Sequence, residues 1–89
     1  MLSILIPVRN ESNTMQDVFD YFFINLKNID YEVIIVNDFS TDNTFEKAND
    51  LTTSYQNIKV FNNTKKGLGG AINLGIKKST GENIAIMMA

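Results

Sequence analysis

The sequence contains no cysteine and no histidine among its 89 residues, and it has one proline. Without cysteine and histidine the chain cannot form a disulfide, a thiol nucleophile, a Ser-His-Asp triad or a zinc site of the usual ligands. The absence of cysteine also fits a cytoplasmic location, where disulfides are rare. Any chemistry must therefore rest on carboxylates, amides, hydroxyls, lysines and a single arginine.

Long hydrophobic runs are missing as well. The N-terminal run is too short for a signal peptide and meets Pro7 and charged residues within a few positions. Nothing else approaches the ~20 apolar residues that a membrane-spanning helix requires. Hydrophobic residues make up 44% of the chain and charged residues 20%, with a formal net charge of -2. This composition indicates one globular domain of modest size, or part of a larger one.

Charge is distributed unevenly along the chain. Residues 1–58 carry three basic and nine acidic side chains, whereas residues 59–89 carry five lysines and one acid, Glu82. The basic third could face a phosphate group or an anionic surface, although lysines on helix exteriors are the commoner explanation. No nucleic-acid partner is expected.

The most informative stretch is YEVIIVNDFSTDNT, residues 31–44. The apolar run from Val33 to Val36 is rich in β-branched residues and too short for an ordinary helix, which predicts a strand buried on both faces of a parallel sheet. Ligands of open α/β sheets bind outside the carboxyl ends of the strands. Asp38, just past the strand, is therefore the first candidate for ligand binding, and an Asx turn is its structural alternative. We expect Asp42 to belong to the turn and helix start rather than to a metal or acid-base pair.

Hydrophobic periodicity predicts the element order β-α-β-α-β-α-β, with strands near 2–6, 31–36, 58–61 and 83–89. The last strand is expected to be buried like the second. Gly75 on the packed face of the third helix suggests a close approach of its backbone to the sheet. The first helix is predicted to span about 15 residues. Its apolar face comprises Met15, Val18, Phe19, Phe22, Phe23, Leu26 and Ile29.

Two capping boxes are predicted, Asn13 with Gln16 (Ser12 being an alternative cap) and Asn43 with Glu46. Right-handed crossovers give the strand order 3-2-1-4, with a crevice between strands one and four. The glycine-rich segment 67–70 fails the dinucleotide-binding fingerprint, because position 72 is isoleucine and the segment follows the third strand. Lys65 and Lys66 beside the next helix start would allow a phosphate contact there.

Three segments in the same order resemble one known family: SILIPVRNES (3–12), EVIIVNDFSTDNT (32–44) and NTKKGLGGAINLGIKKSTGENIAIMMA (63–89). They resemble the opening of family 2 glycosyltransferases with the GT-A fold, most closely the polyprenyl (dolichyl) phosphate mannosyl- or glucosyltransferases. The resemblance implies a three-layer α/β/α, Rossmann-like nucleotide-binding half with a mainly parallel sheet. It also implies transfer of a sugar from a GDP or UDP sugar to a lipid phosphate or another acceptor.

The resemblance further implies a nucleotide site in which the Pro7 loop and Glu11 border the nucleotide and Asp38 bonds the base or ribose region. Arg9 stands where many members have an aromatic residue, so a phosphate contact is expected in place of base stacking. Phe39 replaces a frequent glycine and should disfavour positive φ, so this loop is expected to differ in detail. The six residues expected to bind the nucleotide are Pro7, Arg9, Glu11, Val36, Asp38 and Lys66.

By the same resemblance, the family's metal-binding Asp-x-Asp motif would begin just beyond residue 89, and its catalytic base would come later. Residues 1–89 are therefore expected to be the N-terminal nucleotide-sugar-binding part of a GT-A domain, holding no metal and no catalytic residue. The full-length enzyme would use Mg or Mn, invert the anomeric centre and work in the cytoplasm or at the inner membrane face. The chain alone is expected to be inactive.

Two alternatives remain open from the sequence. One is a non-catalytic signalling module of flavodoxin-like type, although receiver domains place an acidic pair near the first strand, which here ends at Pro7. The other is a truncated folding unit that dimerises through an exposed sheet edge.

Overall fold

Strands and helices alternate in a computed structural model that describes residues 1–13 and 15–88, apart from the side chains of Val18, Phe22 and Phe23. The predicted order of four strands and three helices is confirmed within these residues. The elements are β1 (Leu2–Val8), α1 (Met15–Asn25), β2 (Tyr31–Asn37), α2 (Thr44–Ser54), β3 (Ile58–Asn62), α3 (Leu68–Lys78) and β4 (Asn83–Ile86).

The four strands form one parallel sheet in the order β3-β2-β1-β4. Each strand reaches the next through a helix, as parallel pairing requires. The first three strands run outward to one edge, and the chain then crosses to the other side of β1 to form β4. Val8 pairs with Asn37, and Asn37 pairs with Asn62. The carboxyl ends of β1, β2 and β3 therefore lie side by side at one end of the sheet, as the strand order 3-2-1-4 predicted.

The core lies on both faces of β2, whose seven residues are all buried. One face packs against α1 and α2, with Phe19 and Ala48 at its centre. The other face packs against α3 through Leu5, Ile34, Val36 and Ala71. Full burial of each large apolar side chain contributes about 1.5–3 kcal/mol. These contacts make the three layers that the sequence predicted.

The approach of α3 to the sheet is close. A Cβ atom built on Gly75 would lie 1.8 Å from Cδ1 of Leu5. Only glycine fits this position while the helix keeps its distance from β1. The interpretation of Gly75 from the sequence is confirmed.

Helix α1 is shorter than predicted, with 11 residues instead of about 15. It ends at Asn25, whose side-chain amide donates to the carbonyl of Tyr21 at 2.8 Å. This bond competes with the backbone hydrogen bonds that would continue the helix. Ile29 was expected on the buried face, but it lies beyond the helix and is 48% exposed. Leu26 still packs partly against the core. The side chains of Val18, Phe22 and Phe23, predicted for the same face, lie outside the described residues.

The predicted capping boxes are not seen in the described residues. Helix α1 begins at Met15, so its cap position, residue 14, lies outside them, and the amide of Gln16 donates to Asp20 at 2.9 Å. At α2, Asn43 stands at the cap position but its side chain makes no capping bond. Asp42 accepts a hydrogen bond from the backbone of Thr44 at 3.0 Å instead. The carboxylate of Asp42, one residue before the cap position, therefore accepts from a backbone N–H at the start of the helix.

The prediction of a buried fourth strand was wrong. Strand β4 covers only Asn83–Ile86, and all four residues are exposed. It lies at the sheet edge and pairs with β1 alone among the described residues, so its apolar side chains have few neighbours. Residue 89, which the prediction included, lies outside the described range.

A buried carboxylate that the sequence analysis missed lies near the start of β2, at the amino ends of the strands and therefore at the end of the sheet opposite the carboxyl ends. Glu32 accepts hydrogen bonds from the hydroxyl of Ser3 at 2.6 Å and from the backbone and hydroxyl of Thr80 at 2.6 and 3.0 Å. The ammonium of Lys59 lies 3.2 Å away. Burial raises the pKa of Glu32, but these bonds outweigh it and lower the pKa to about 2. The network joins β1, β2 and β3 to the turn before β4.

Candidate functional site

A groove of about 320 Å³ opens at the carboxyl ends of β1 and β2, beside the start of α3. The register brings these strand ends together, and the backbone N–H of Asp38 donates to the carbonyl of Val8 at 2.8 Å. The groove lies at the switch point of the sheet, where parallel α/β folds bind ligands. Its lining residues are Pro7, Val8, Arg9, Glu11, Asp38, Gly67, Leu68 and Met88.

Two other cavities lie away from the strand ends. One of about 410 Å³ lies between α1 and α2, and one of about 310 Å³ lies beside α3. Neither has a buried carboxylate in its wall, although the first is larger than the groove. The chemistry of the lining, rather than the volume, therefore identifies the groove as the candidate site.

Asp38 is the central charge of the groove and is 7% exposed. Its Oδ1 atom accepts hydrogen bonds from the backbone of Gly67 and from the amide of Asn63, both at 3.0 Å. Burial acts to raise the pKa of this carboxyl, but the two bonds oppose it. The positive charges of Arg9 and Lys66 also oppose it, so the pKa of Asp38 lies below its usual value. The side chain is therefore ionised at neutral pH.

Asn63 was not predicted as a site residue. It follows β3 at the position where Asp38 follows β2, and its backbone N–H donates to the carbonyl of Asn37 at 2.8 Å. Its side-chain amide also donates to the carbonyls of Lys65 and Gly67, at 2.5 and 3.3 Å. The only feature of the sequence that could have identified Asn63 is that it follows β3 directly, as Asp38 follows β2.

The loop after β1 is fastened to the loop after β2 by Asn10. Its backbone N–H donates to the hydroxyl of Ser40 at 3.0 Å, and its Oδ1 accepts from the backbone of Thr41 at 2.8 Å. Asn10 has a φ of 54°, a conformation that asparagine tolerates better than most residues. These contacts hold Arg9 and Glu11, on either side of Asn10, at the groove.

The expectation that Phe39 would avoid positive φ was wrong, because its φ is 55°. The neighbouring residues fix the loop, since the hydroxyl of Ser40 donates to Oδ1 of Asn37 at 2.5 Å. Left-handed backbone costs a non-glycine residue roughly 1–2 kcal/mol. The Phe39 side chain is 45% exposed and offers little packing in return. The surrounding hydrogen bonds therefore impose this strained conformation.

The structure brings most of the predicted nucleotide-binding residues together. Pro7, Arg9, Glu11 and Asp38 line the groove. Lys66 is near enough for its charge to lower the pKa of Asp38.

Two other residues lie elsewhere. The side chain of Val36 is fully buried in the core against α3, so it does not reach the groove. Asp42 bonds to Thr44 at the start of α2, which confirms its expected part in the turn.

The groove does not fit a divalent metal ion by itself. Mg and Mn sites are built from several oxygen ligands, commonly carboxylates. Within residues 1–13 and 15–88 no three histidine, cysteine or acidic side chains lie close enough to hold a metal. Asp38 already receives two N–H donors and has cationic neighbours, which suits hydrogen-bond donors and anions instead.

Within the same described part of the chain, no helix has the length and apolar character to cross a membrane.

Residues 3–89 match the family described as Glycosyl transferase family 2. Dolichol-phosphate mannosyltransferase from Pyrococcus furiosus is 36% identical over 89 residues, which cover 99% of this chain and 25% of that protein. Putative glycosyltransferase CsbB from Bacillus subtilis is 30% identical over 92 residues, covering 100% of this chain and 28% of that protein. The chain spans about a quarter of the length of these relatives.

Solved structures share the fold. Mannosyltransferase PcManGT from Pyrobaculum calidifontis, in complex with GDP-Man and Mn2+, has a TM-score of 0.86 at 21% identity, covering 98% of this chain and 26% of that one. S. aureus TarS 1-349 in complex with UDP-GlcNAc has a TM-score of 0.84 at 22% identity, with the same coverages of 98% and 26%. The similarity confirms the predicted Rossmann-like fold of the GT-A type.

Proposed function

Because the chain belongs to glycosyl transferase family 2, we propose that it supplies the nucleotide-binding part of an enzyme that transfers a sugar from a nucleoside diphosphate sugar to an acceptor. Residues 1–89 are then the N-terminal portion of the GT-A domain. The observation that carries the proposal is an ionised, nearly buried Asp38 in a groove at the switch point of the sheet. Family membership favours this function over the flavodoxin-like signalling module.

Asp38 would bind the base or ribose of the nucleotide. Both of its hydrogen bonds within the described residues reach Oδ1, so Oδ2 is the oxygen that a ligand N–H or O–H would approach. Bonds to an ionised acceptor are about twice as strong as neutral ones. Arg9 and Lys66 place positive charge beside the groove, where a diphosphate would be attracted. Pro7 and Glu11 would border the nucleotide, and Val36 would support the site from the core.

The donor and acceptor are proposed by analogy with relatives. The two structural neighbours carry GDP-Man and UDP-GlcNAc, which supports a GDP or UDP sugar as donor. The name of the Pyrococcus furiosus relative supports polyprenyl phosphate as acceptor. An enzyme with such an acceptor would work in the cytoplasm at the inner face of the membrane. This location is part of the same proposal.

The metal and the catalytic residues are proposed to lie outside this chain. The Mn2+ bound to PcManGT supports the use of Mg or Mn by the whole enzyme. Its ligands would come from an Asp-x-Asp motif following residue 89, since the groove residues do not form a metal site. We further propose that transfer inverts the anomeric centre, as the family resemblance implies. The chain alone would bind nucleotide without turnover.

Self-association through the sheet edge is also proposed. The outer edge of β4 has no strand beside it within the described part of the chain. Four neighbouring apolar side chains are exposed, Ile84, Ile86, Met87 and Met88. Unpaired, apolar strand edges favour pairing with another chain. Sedimentation at several protein concentrations should show a dimer that dissociates on dilution, and Ile86→Lys should weaken it. A monomer at every concentration contradicts this proposal.

Titration with GDP and with UDP tests the nucleotide proposal. We expect chemical-shift changes at Asp38 and Glu11, which line the groove, but not at Asp30, an exposed acid at the opposite end of β2. Asp30 thus serves as an internal control for non-specific effects of an added anion. No response to either nucleotide at millimolar concentration, from a folded chain, would refute the proposal.

A further inference from the structure

The Asn63 side chain connects two parts of the groove, Asp38 after β2 and the loop before α3. The side chain is buried, at 6% exposure, although it belongs to a surface loop. Its Nδ2 atom lies 3.0 Å from Oδ1 of Asp38 and also reaches the carbonyl oxygens of Lys65 and Gly67. Its Oδ1 accepts from the backbone N–H of Lys65 at 3.3 Å. One amide therefore closes the loop 63–67 and fastens it to the carboxylate.

The position of Lys66 depends on this closed loop. Lys66 lies between two residues whose carbonyls the Asn63 amide holds, and the next N–H along the chain, that of Gly67, donates to Asp38. Gly67 has a φ of 115°, which a residue with a side chain rarely adopts. The loop thus has a defined conformation that presents one N–H donor and one cation to the same carboxylate.

We propose that Asn63 is a positioning residue of the nucleotide site: its amide holds Lys66 and Gly67 against Asp38, orients that carboxylate towards the groove and so strengthens nucleotide binding. This inference rests on the proposed function. Asn63 itself contacts no ligand in this proposal, because its side chain is buried and its polar atoms are already bonded to Asp38 and to the loop. It acts through the carboxylate and the loop that it fastens.

The charged groups facing Asp38 determine how its pKa should change when the Asn63 amide is replaced. Arg9 faces it from the loop after β1, Lys66 faces it from the loop before α3, and Glu11 lines the same groove. Replacing the amide of Asn63 by a carboxylate removes a donor and adds a like charge next to Asp38. Both changes disfavour the ionised form of Asp38 and raise its pKa. Protonation would then compete with nucleotide binding.

Asn63→Asp, compared with Asn62→Asp, provides the test. Asn62 is the adjacent residue, and its Oδ1 accepts from the amide of Asn37, a bond that a carboxylate can keep. The two variants therefore have the same net charge and differ in whether the new carboxylate contacts Asp38. Affinity for GDP and UDP would be measured between about pH 5 and pH 8, with carboxyl carbon shifts of Asp38 and melting temperature followed in parallel.

Asn63→Asp is expected to bind nucleotide about tenfold more weakly at pH 7, with affinity falling further as the pH is lowered, because a charge-assisted contact is disturbed. Asn62→Asp should keep wild-type affinity and a flat pH profile over the same range. An Asn63→Asp variant with wild-type affinity and an unchanged Asp38 pKa would overturn the inference. A purely structural role would lower the melting temperature without changing the pH profile, and that result also overturns it.

Two further outcomes are decisive. If Asn63→Asp does not fold, Asn63→Ser removes the amide without adding charge, and it should still weaken binding several-fold; unchanged affinity there refutes the inference. If the wild type binds and Asp38→Asn weakens binding but no Asn63 variant does, only this inference fails. If the wild-type protein binds neither nucleotide, the proposed function fails and the inference fails with it.

Discussion

Glu32 of β2 and Lys59 of β3 form an ion pair, 3.2 Å from Oε1 to Nζ, in which the carboxylate is buried and the ammonium is half exposed. A buried charge is costly unless hydrogen bonds and a partner offset the loss of water. Ser3 and Thr80 provide those bonds from β1 and from the turn before β4. The network therefore ties the amino ends of β1, β2 and β3 together, at the end of the sheet opposite the groove.

Stability should depend on pH through Glu32. Its pKa is lowered from 4.5 to about 2 on folding, so the stabilisation is fully present above about pH 4.5 and is lost as the pH falls towards 2. The shift corresponds to about 3 kcal/mol of unfolding free energy. Denaturant unfolding at several pH values would measure it. Glu32→Gln should be less stable at pH 7 and should lose less stability on acidification, and an equally steep loss in this variant contradicts the assignment.

Replacement of Gly75 and Gly69 by alanine should have opposite effects on stability. The new methyl group at Gly75 would meet the buried Leu5 side chain, and overpacking of this kind costs about 1–3 kcal/mol. Gly69, on the same helix, has nothing within 4 Å of the added methyl. Gly69→Ala should therefore stabilise by about 0.5–1 kcal/mol. Thermal unfolding compares the two, and a stable Gly75→Ala variant would show that α3 can move away from β1.

Substitutions at Phe39 should rank by their tolerance of positive φ. Glycine adopts this backbone without strain, whereas valine is β-branched and tolerates it poorly. We expect Phe39→Gly to be more stable than Phe39→Val by about 1 kcal/mol, after allowing for the extra freedom of glycine in the unfolded chain. Chemical denaturation measures the difference. Equal stabilities would mean that the loop can change its conformation.

Lys66→Ala should weaken nucleotide binding more than Lys77→Ala. Both changes remove one exposed positive charge, but only Lys66 is near enough to influence Asp38. We expect a few-fold loss of affinity, since an exposed charge contributes about 1 kcal/mol or less. The loss should shrink as salt is added, because exposed charges are screened. Calorimetric titration at two salt concentrations measures it, and equal effects of both variants would indicate only a general charge effect.

The sequence predicted those parts of the fold that depend on local pattern. The run from Val33 to Val36 is apolar at every position, and such a run predicts a strand that is buried on both faces. Residues 84–88 are apolar at every position as well, but burial also requires neighbouring elements, which a local pattern does not report. Helix α1 ended early because the Asn25 side chain bonds the backbone carbonyl of Tyr21, a competition that periodicity does not reveal.

The site was predictable where chemistry follows directly from a strand end. Asp38 was identified because it follows the central strand at the edge where ligands bind. Asn63 was missed because asparagine near a strand end commonly belongs to a turn, and its burial arises only when β2 and β3 pair in register. Glu32 was missed because a charged residue at a strand start usually faces water. Its partner Thr80 is 48 residues away in sequence.

The most direct test of the nucleotide site is the affinity of Asp38→Asn for GDP and UDP, measured by calorimetry on a variant shown to be folded. Asparagine keeps the size of the side chain and an oxygen that can accept from Gly67, while it removes the charge. We expect a loss of about 1.5–3 kcal/mol in binding free energy, or roughly ten- to a hundredfold in affinity. Wild-type affinity in the folded variant would contradict the assignment of Asp38 as the nucleotide-binding carboxylate.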